Sequence, residues 1–235
     1  MPDTLYADVS QWQPGVDDRY PHSVLAIRSN DGTYRDRHWH NNYGWCRRSA
    51  DDGRLTFFIV YFVWRPDWRR AVQTFREQVG TPHPKMAVML DVESWGGQIR
   101  GDQSAGINAA YAEVGEFVGG TAKVIGYGNV GDLDTLWPDK PPGVRLVVAA
   151  YAHNPPYPGK VAHQYTDGSG HGAGLPEGAP PFGRCDMNSA DGLTPAAFAG
   201  ACGIADLCAC SRTDFVASTR SAPSQRRSDD QPRRL

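Results

Sequence analysis

Short apolar runs, separated by amphipathic or loop-forming stretches, recur from Tyr6 to about Cys185, and this alternation restricts the chain to repeated βα units around a parallel sheet. Tyr6 to Val9 and Val24 to Arg28 read as the first two strands, followed by a polar, aromatic helix around Asp36 to Ala50. Leu55 to Trp64 is apolar without alternation, as a strand buried on both faces requires. Pro66 opens a helix in which Trp68, Ala71, Val72, Phe75 and Val79 recur at three- and four-residue intervals, and Gly80 and Pro82 stop it. Met86 to Leu90 is the next strand. A second amphipathic helix follows, with Ile107, Ala110, Tyr111, Val114 and Val118 as its buried stripe and Gly119-Gly120 as its end. Further strands are expected at Lys123 to Tyr127, Leu146 to Tyr151, Val161 to Tyr165 and near Arg184 to Met187, joined by loops rather than full helices. The pattern predicts an α/β fold: an irregular TIM-like barrel of about five βα units followed by three strands, over residues 1–204.

A chain of 235 residues with 40% hydrophobic content can bury a core of that size. Past Ile204 the composition changes. From Ser218 onward five Arg stand against two Asp among Ser, Pro and Gln, so residues 205–235 read as a disordered tail. No apolar run approaches the ~20 residues of a membrane span. The start, Met1-Pro2-Asp3, lacks the basic and apolar regions of a signal peptide, which predicts a product made and first held in a cytoplasm. Net charge is −2 with the signs interspersed, so no nucleic-acid surface is expected.

Cys46, Cys185, Cys202, Cys208 and Cys210 are odd in number and match neither a disulfide framework nor a paired Cys-x-x-Cys site. They read as reduced thiols. Cys208-Ala-Cys210 with Cys202 lacks a fourth metal ligand nearby, and His38 and His40, alternate residues near a helix start, would project in different directions, so neither a metal nor a cofactor is expected.

Chemistry concentrates in Met86-Ala-Val-Met-Leu-Asp91-Val-Glu93-Ser-Trp95, an apolar run ending in two carboxylates one residue apart and an aromatic. With 26 acids in the chain, roughly three acid-x-acid pairs arise by chance. This pair closes a stretch that is otherwise core. On a strand both side chains leave the same face, about 6.6 Å apart along the backbone. Repulsion and burial then predict one carboxyl with a raised pKa beside one that stays ionised, the proton donor and anion that glycoside hydrolysis uses. At the C-terminal rim of a βα barrel they would be joined by Asp8, Asp186, Tyr61, Tyr127, Tyr151, Gln164 and Tyr165, each placed where a proposed strand ends or within it.

These segments together resemble glycoside hydrolase family 25, the Chalaropsis-type lysozymes, over about residues 5 to 195. Asp8-Val-Ser10-Gln-Trp12 is similar to the family's opening Asp-Val-Ser, Ala26-Ile-Arg28-Ser-Asn-Asp31-Gly32 to its second-strand motif, and Val60-Tyr61-Phe62 to its third. Leu90-Asp91-Val-Glu93 resembles the Asp-x-Glu motif, Ala149-Ala-Tyr151 the Ala-x-Tyr, His163-Gln164-Tyr165 the Trp-Gln-Tyr, and Cys185-Asp186-Met-Asn188 the Val-Asp-Leu-Asn. The resemblance implies a muramidase, acting as a monomer on peptidoglycan glycan strands, as in phage endolysins that reach the wall during host lysis. It casts Glu93 as general acid and base. Asp91 would stabilise positive charge at the sugar, directly or by orienting the substrate's 2-acetamido group, with Asp8 and Asp186 positioning the substrate. Trp12, Arg28, Asp31, Tyr61, Tyr127, Tyr151, Gln164 and Tyr165 would line the groove. Phe62, His163 and Asp31 depart from the family pattern and are expected at or beside the rim. Two rival readings are a barrel that binds glycans without cutting them and a zinc amidase recruiting ligands among His38, His40, His153, His163 and His171.

Overall fold

In the computed structural model, which describes residues 3–204, the apolar runs pair as eight strands closed into a barrel. They are β1 (Leu5–Val9), β2 (Val24–Asp31), β3 (Phe57–Val63), β4 (Met86–Asp91), β5 (Val124–Asn129), β6 (Arg145–Ala149), β7 (Lys160–Thr166) and β8 (Asp186–Ser189). Neighbours in sequence are neighbours in space, and β1 pairs with both β2 and β8 to shut the ring. All pairings are parallel except those of β8, which runs antiparallel to β7 and β1. Four helices pack outside: α1 (Trp39–Asp51), α2 (Trp68–Val79), α3 (Ser104–Val118) and α4 (Val130–Leu136). The first crossover, residues 10–23, contains no helix, whereas α4 occupies a connection expected to be a loop. Asn129 makes that short helix possible by capping it, its side chain accepting from the Asp132 amide at 2.9 Å. Residues 205–235, with Cys208 and Cys210, lie outside the described residues.

Strand alternation separates two cores. Leu25, Ile27, Phe58, Val60, Phe62, Val88 and Leu90 face outward onto the helices, while Val24, Ala26, Phe57, Ile59, Ala87, Met89 and Ile125 fill the barrel. The outer layer explains why β3 and β4 lack polar alternation: both faces are covered. At the N-terminal end of the strands a further helix, α5 (Pro195–Ala201), closes the bottom. Its Phe198 is fully buried against Tyr6 and Phe57, with ring centroids 5.5 and 5.2 Å away. Among the described residues the opposite mouth has no such plug. Among the described residues no helix is long and apolar enough to cross a membrane.

Because Phe198 seals the barrel floor, Phe198→Ala is expected to lower unfolding free energy by about 3–5 kcal/mol in a urea titration. A loss below about 1 kcal/mol would mean that α5 does not close the floor.

Candidate active site

The open mouth is a cleft of about 220 Å³ where carboxylates, aromatics and one guanidinium converge. β1 contributes Asp8, β2 Arg28, β3 Tyr61, β4 Asp91, β5 Tyr127, β7 Gln164 and β8 Asp186, with Glu93, Trp95, Trp12 and Tyr151 from the loops that follow strands. Asp186 arrives by a route different from the expected one. It begins β8 rather than ending it, and the reversed direction of that strand carries it to the rim where the parallel strands end. Antiparallel register sets it opposite Asp8, and Asn188 opposite Tyr6.

Asp8 is the best-anchored acid. Its Oδ2 accepts from Gln164 Nε2 and from Asn188 Nδ2, both at 2.8 Å. Gln164 Oε1 in turn accepts from the hydroxyls of Tyr127 (2.8 Å) and Tyr151 (3.2 Å), so one amide aligns two tyrosines and a carboxylate. Tyr61 donates to the Val9 carbonyl at 3.2 Å. Arg28 Nε donates to Asp36 Oδ2 at 3.1 Å, while its Nη2 and the Asp91 Oδ1 atom are buried without a protein partner.

Glu93 lies two residues beyond β4, yet its position is still set by strand pairing. The Val92 amide donates to the Tyr127 carbonyl at 2.9 Å, continuing the β4–β5 ladder. Gly128 permits that approach, since a Cβ there would stand 2.7 Å from the Val92 carbonyl oxygen. Past Glu93 the Ser94 amide donates to Asp132 Oδ2 at 3.0 Å. Trp95 then adopts φ +50°, a left-handed conformation that costs a bulky side chain on the order of 1–3 kcal/mol. The Arg65 guanidinium covers its ring at 4.4 Å. Arg65 is itself held by Asp31 through two bonds of 2.6 and 2.8 Å.

The electrostatics correct one expectation. Both members of the Asp91/Glu93 pair are shifted upward, rather than one. Burial, then Glu93, Asp8 and Asp31, hold the Asp91 carboxyl well above the usual range, with Arg28 pulling the other way. Burial, then Asp132 and Asp8, push Glu93 up to about 7, against a downward pull from Arg65. Burial and Asp8 push Asp186 up to about 8. Asp8 is raised by burial alone, an effect that its Asn188 and Gln164 bonds oppose. Among the described residues the guanidinium lining the cleft, Arg28, and the one beside it, Arg65, are each already paired with a carboxylate outside the cleft lining, Asp36 and Asp31.

Two expected groove residues do not line the cleft. Gln164 faces the barrel interior, so Tyr165 must point outward, where it is buried in the outer core and donates to the Pro176 carbonyl at 2.8 Å. Asp31 acts one step away, through Arg65. Nor do Phe62 and His163 sit at the rim. Phe62 packs in the outer core on Phe75, centroids 5.2 Å apart, and the His163 ring nitrogen meets the Ala150 carbonyl at 2.6 Å on the same outer side as Tyr165. Sequence reasoning passed over Trp95, Arg65 and Asp132. Trp95 was signalled by its place beside the acid pair, but nothing local marks the other two.

His38 is half-buried, and His40, His153 and His171 are exposed. Among the described residues no group of three or more His, Cys, Asp or Glu side chains is arranged to hold a metal ion. Cys46, Cys185 and Cys202 are buried free thiols.

The fold is that of family 25 glycosyl hydrolases. A family 25 glycosyl hydrolase from Bacillus anthracis superposes with a TM-score of 0.64 at 15% identity, covering 84% of this chain and 92% of that one. The CTP1L endolysin gives 0.63 at 18% identity over 85% of this chain and 70% of its own. The modular autolysin LytC from Streptococcus pneumoniae, solved in complex with a synthetic peptidoglycan ligand, gives 0.57 at 16% identity over 80% and 46%. No family model matches the sequence. The chain belongs to the same family as the uncharacterized protein Rv3766 of Mycobacterium tuberculosis, to which it is 53% identical over 207 residues, 87% of this chain and 75% of that protein.

The raised Glu93 value has a consequence for stability. A folded-state value near 7 against an ordinary 4.5 means that the native state binds more protons than the unfolded chain between those pH values. Stability from this group is therefore full below about pH 4.5 and declines as pH rises to about 7. Glu93→Gln removes the titration, so its melting temperature relative to wild type is expected to climb between pH 5 and 7 and level off above. A pH-independent difference would contradict the buried, proton-retaining environment.

Proposed function

We propose that this protein is a peptidoglycan hydrolase of the muramidase type, cleaving the β-1,4 bond between N-acetylmuramic acid and N-acetylglucosamine. The observation that carries the reading is the pairing of Asp91 with Glu93 in one aromatic-walled cleft, in unequal surroundings: Asp91 buried, Glu93 half-buried. The shared barrel supports it, as do the neighbours' own descriptions as a glycosyl hydrolase, an endolysin and an autolysin holding a peptidoglycan ligand.

Glu93, which keeps its proton up to about pH 7, donates it to the departing glycosidic oxygen and later takes one back from water. Asp91 stabilises positive charge that develops at the sugar or orients the substrate's 2-acetamido group. Asp8 and Asp186 fix the floor, and Trp12, exposed on the rim, with Tyr61, Tyr127 and Tyr151 offers ring faces to pyranose units. The mouth is open, so a polymer can lie across it. A phage lytic role, in which the enzyme gathers in the host cytoplasm and meets the wall once the membrane opens, is the setting that an endolysin-like barrel fits best. In this reading the enzyme acts as a monomer, without cofactor or metal.

Glu93→Gln should leave the fold intact and slow release of soluble fragments from purified peptidoglycan by about 10²–10⁴-fold. Asp91→Asn should cost a comparable factor and Asp8→Asn less. Unchanged turnover in Glu93→Gln would overturn the assignment, and retained pull-down on peptidoglycan with no cleavage even by wild type would favour a binding barrel. Wild-type rates should also fall as pH rises through about 7, where Glu93 loses its proton. A rate that kept rising to pH 9 would contradict a carboxylic acid donor.

A further inference from the structure

Resting on the acid role just given to Glu93, we propose that Asp132 is its positioning residue, acting from α4 in opposition to Arg65 to fix both where the Glu93 segment lies and what charge it faces.

The geometry is a clamp on residues 92–95. Below Glu93, the Val92 amide is tied to the β5 carbonyl of Tyr127. Above it, the Ser94 amide is tied to Asp132 Oδ2. Asp132 is not a free surface acid: its Oδ2 also accepts from Asn129 Nδ2 at 2.9 Å, and its own amide donates to Asn129 Oδ1 at 2.9 Å. The reciprocal Asn129 pair aims the carboxylate at Ser94. On the far side, Asp31 braces Arg65, and Arg65 covers Trp95. Glu93 is therefore held between two supports, one anionic and one cationic. The left-handed backbone at Trp95 persists because both ends of the segment are pinned.

The supports have opposite electrostatic effects. Asp132 is the largest charge favouring the protonated form of Glu93, while Arg65 favours the ionised form. The other charged or titratable groups facing it are Asp8 from β1, Asp31 from β2, Asp91 from β4, Tyr127 from β5, Tyr151 beyond β6 and Asp186 from β8. Asp132 alone combines a charge with a hydrogen bond to the residue next to Glu93. It touches no cleft surface, so its influence runs through Glu93.

The test is a ¹³C NMR titration of the Glu93 carboxyl in wild type, Asp132→Asn and Arg65→Gln, run beside the pH profile of peptidoglycan cleavage. Asp132→Asn keeps an oxygen for Ser94 and loses the charge, so the Glu93 midpoint and the basic limb of the profile should both move down by about half a pH unit or more. Arg65→Gln should move both upward. Asp132→Ala, which loses the anchor too, should lower kcat further with little change in KM. Should Asp132→Asn fail to fold, Asp132→Ser removes the same charge with a smaller side chain and should move the midpoint down likewise. An unmoved midpoint in a folded variant, or shifts of one sign in both, would overturn the proposal. The titration needs no turnover: wild type that cleaves nothing refutes the hydrolase reading, while the midpoints still decide the role of Asp132.

Discussion

The barrel mouth crowds Asp8, Asp91, Glu93 and Asp186 into a desolvated space where the lining guanidinium, Arg28, is paired with Asp36 and the neighbouring Arg65 with Asp31. That excess of carboxyl over available positive charge is the constraint on which the site depends. Burial disfavours four anions there, so Glu93 and Asp186 keep protons into the neutral range, and the Asp91 carboxyl is pushed in the same direction. An arrangement of this kind lowers stability at neutral pH. It persists because the surrounding frame is rigid: eight closed strands, two apolar cores and the α5 plug.

Position within the barrel differentiates the acids. Asp8, deepest in the hydrogen-bond network, is tied to Gln164 and Asn188 and through Gln164 to two tyrosines. Its Oδ2 is occupied by two donors, which suits a positioning role. Asp91 keeps an oxygen without a protein partner, and Glu93 sits on a loop with partial access to solvent. The clamp of Asp132 and Arg65 adds a finer adjustment on the one acid outside the strand framework.

Much of this was legible in the sequence because period-two alternation and βα repetition are local signals. β1 to β7 fall within a few residues of their expected spans, and ten of the twelve predicted site residues line the cleft. What escaped depends on information that single segments do not carry. Tyr165 was misplaced because neighbouring strand residues point to opposite faces and Gln164 already took the inner one. The direction of β8 follows from its partners, not its composition, so Asp186 reached the rim by a strand start. Asp31, Arg65 and Asp132 act across long sequence separations, from a strand end, a loop and a helix, on a loop whose own residues only hint at a site.

The central claim, a glycosidic cleavage carried out by acids in this mouth, is most directly tested by mass analysis of purified peptidoglycan after digestion with the wild-type protein. New reducing N-acetylmuramic acid ends, with stem peptides still attached, are the predicted products. Reducing N-acetylglucosamine ends, or stem peptides released from intact glycan strands, would contradict it.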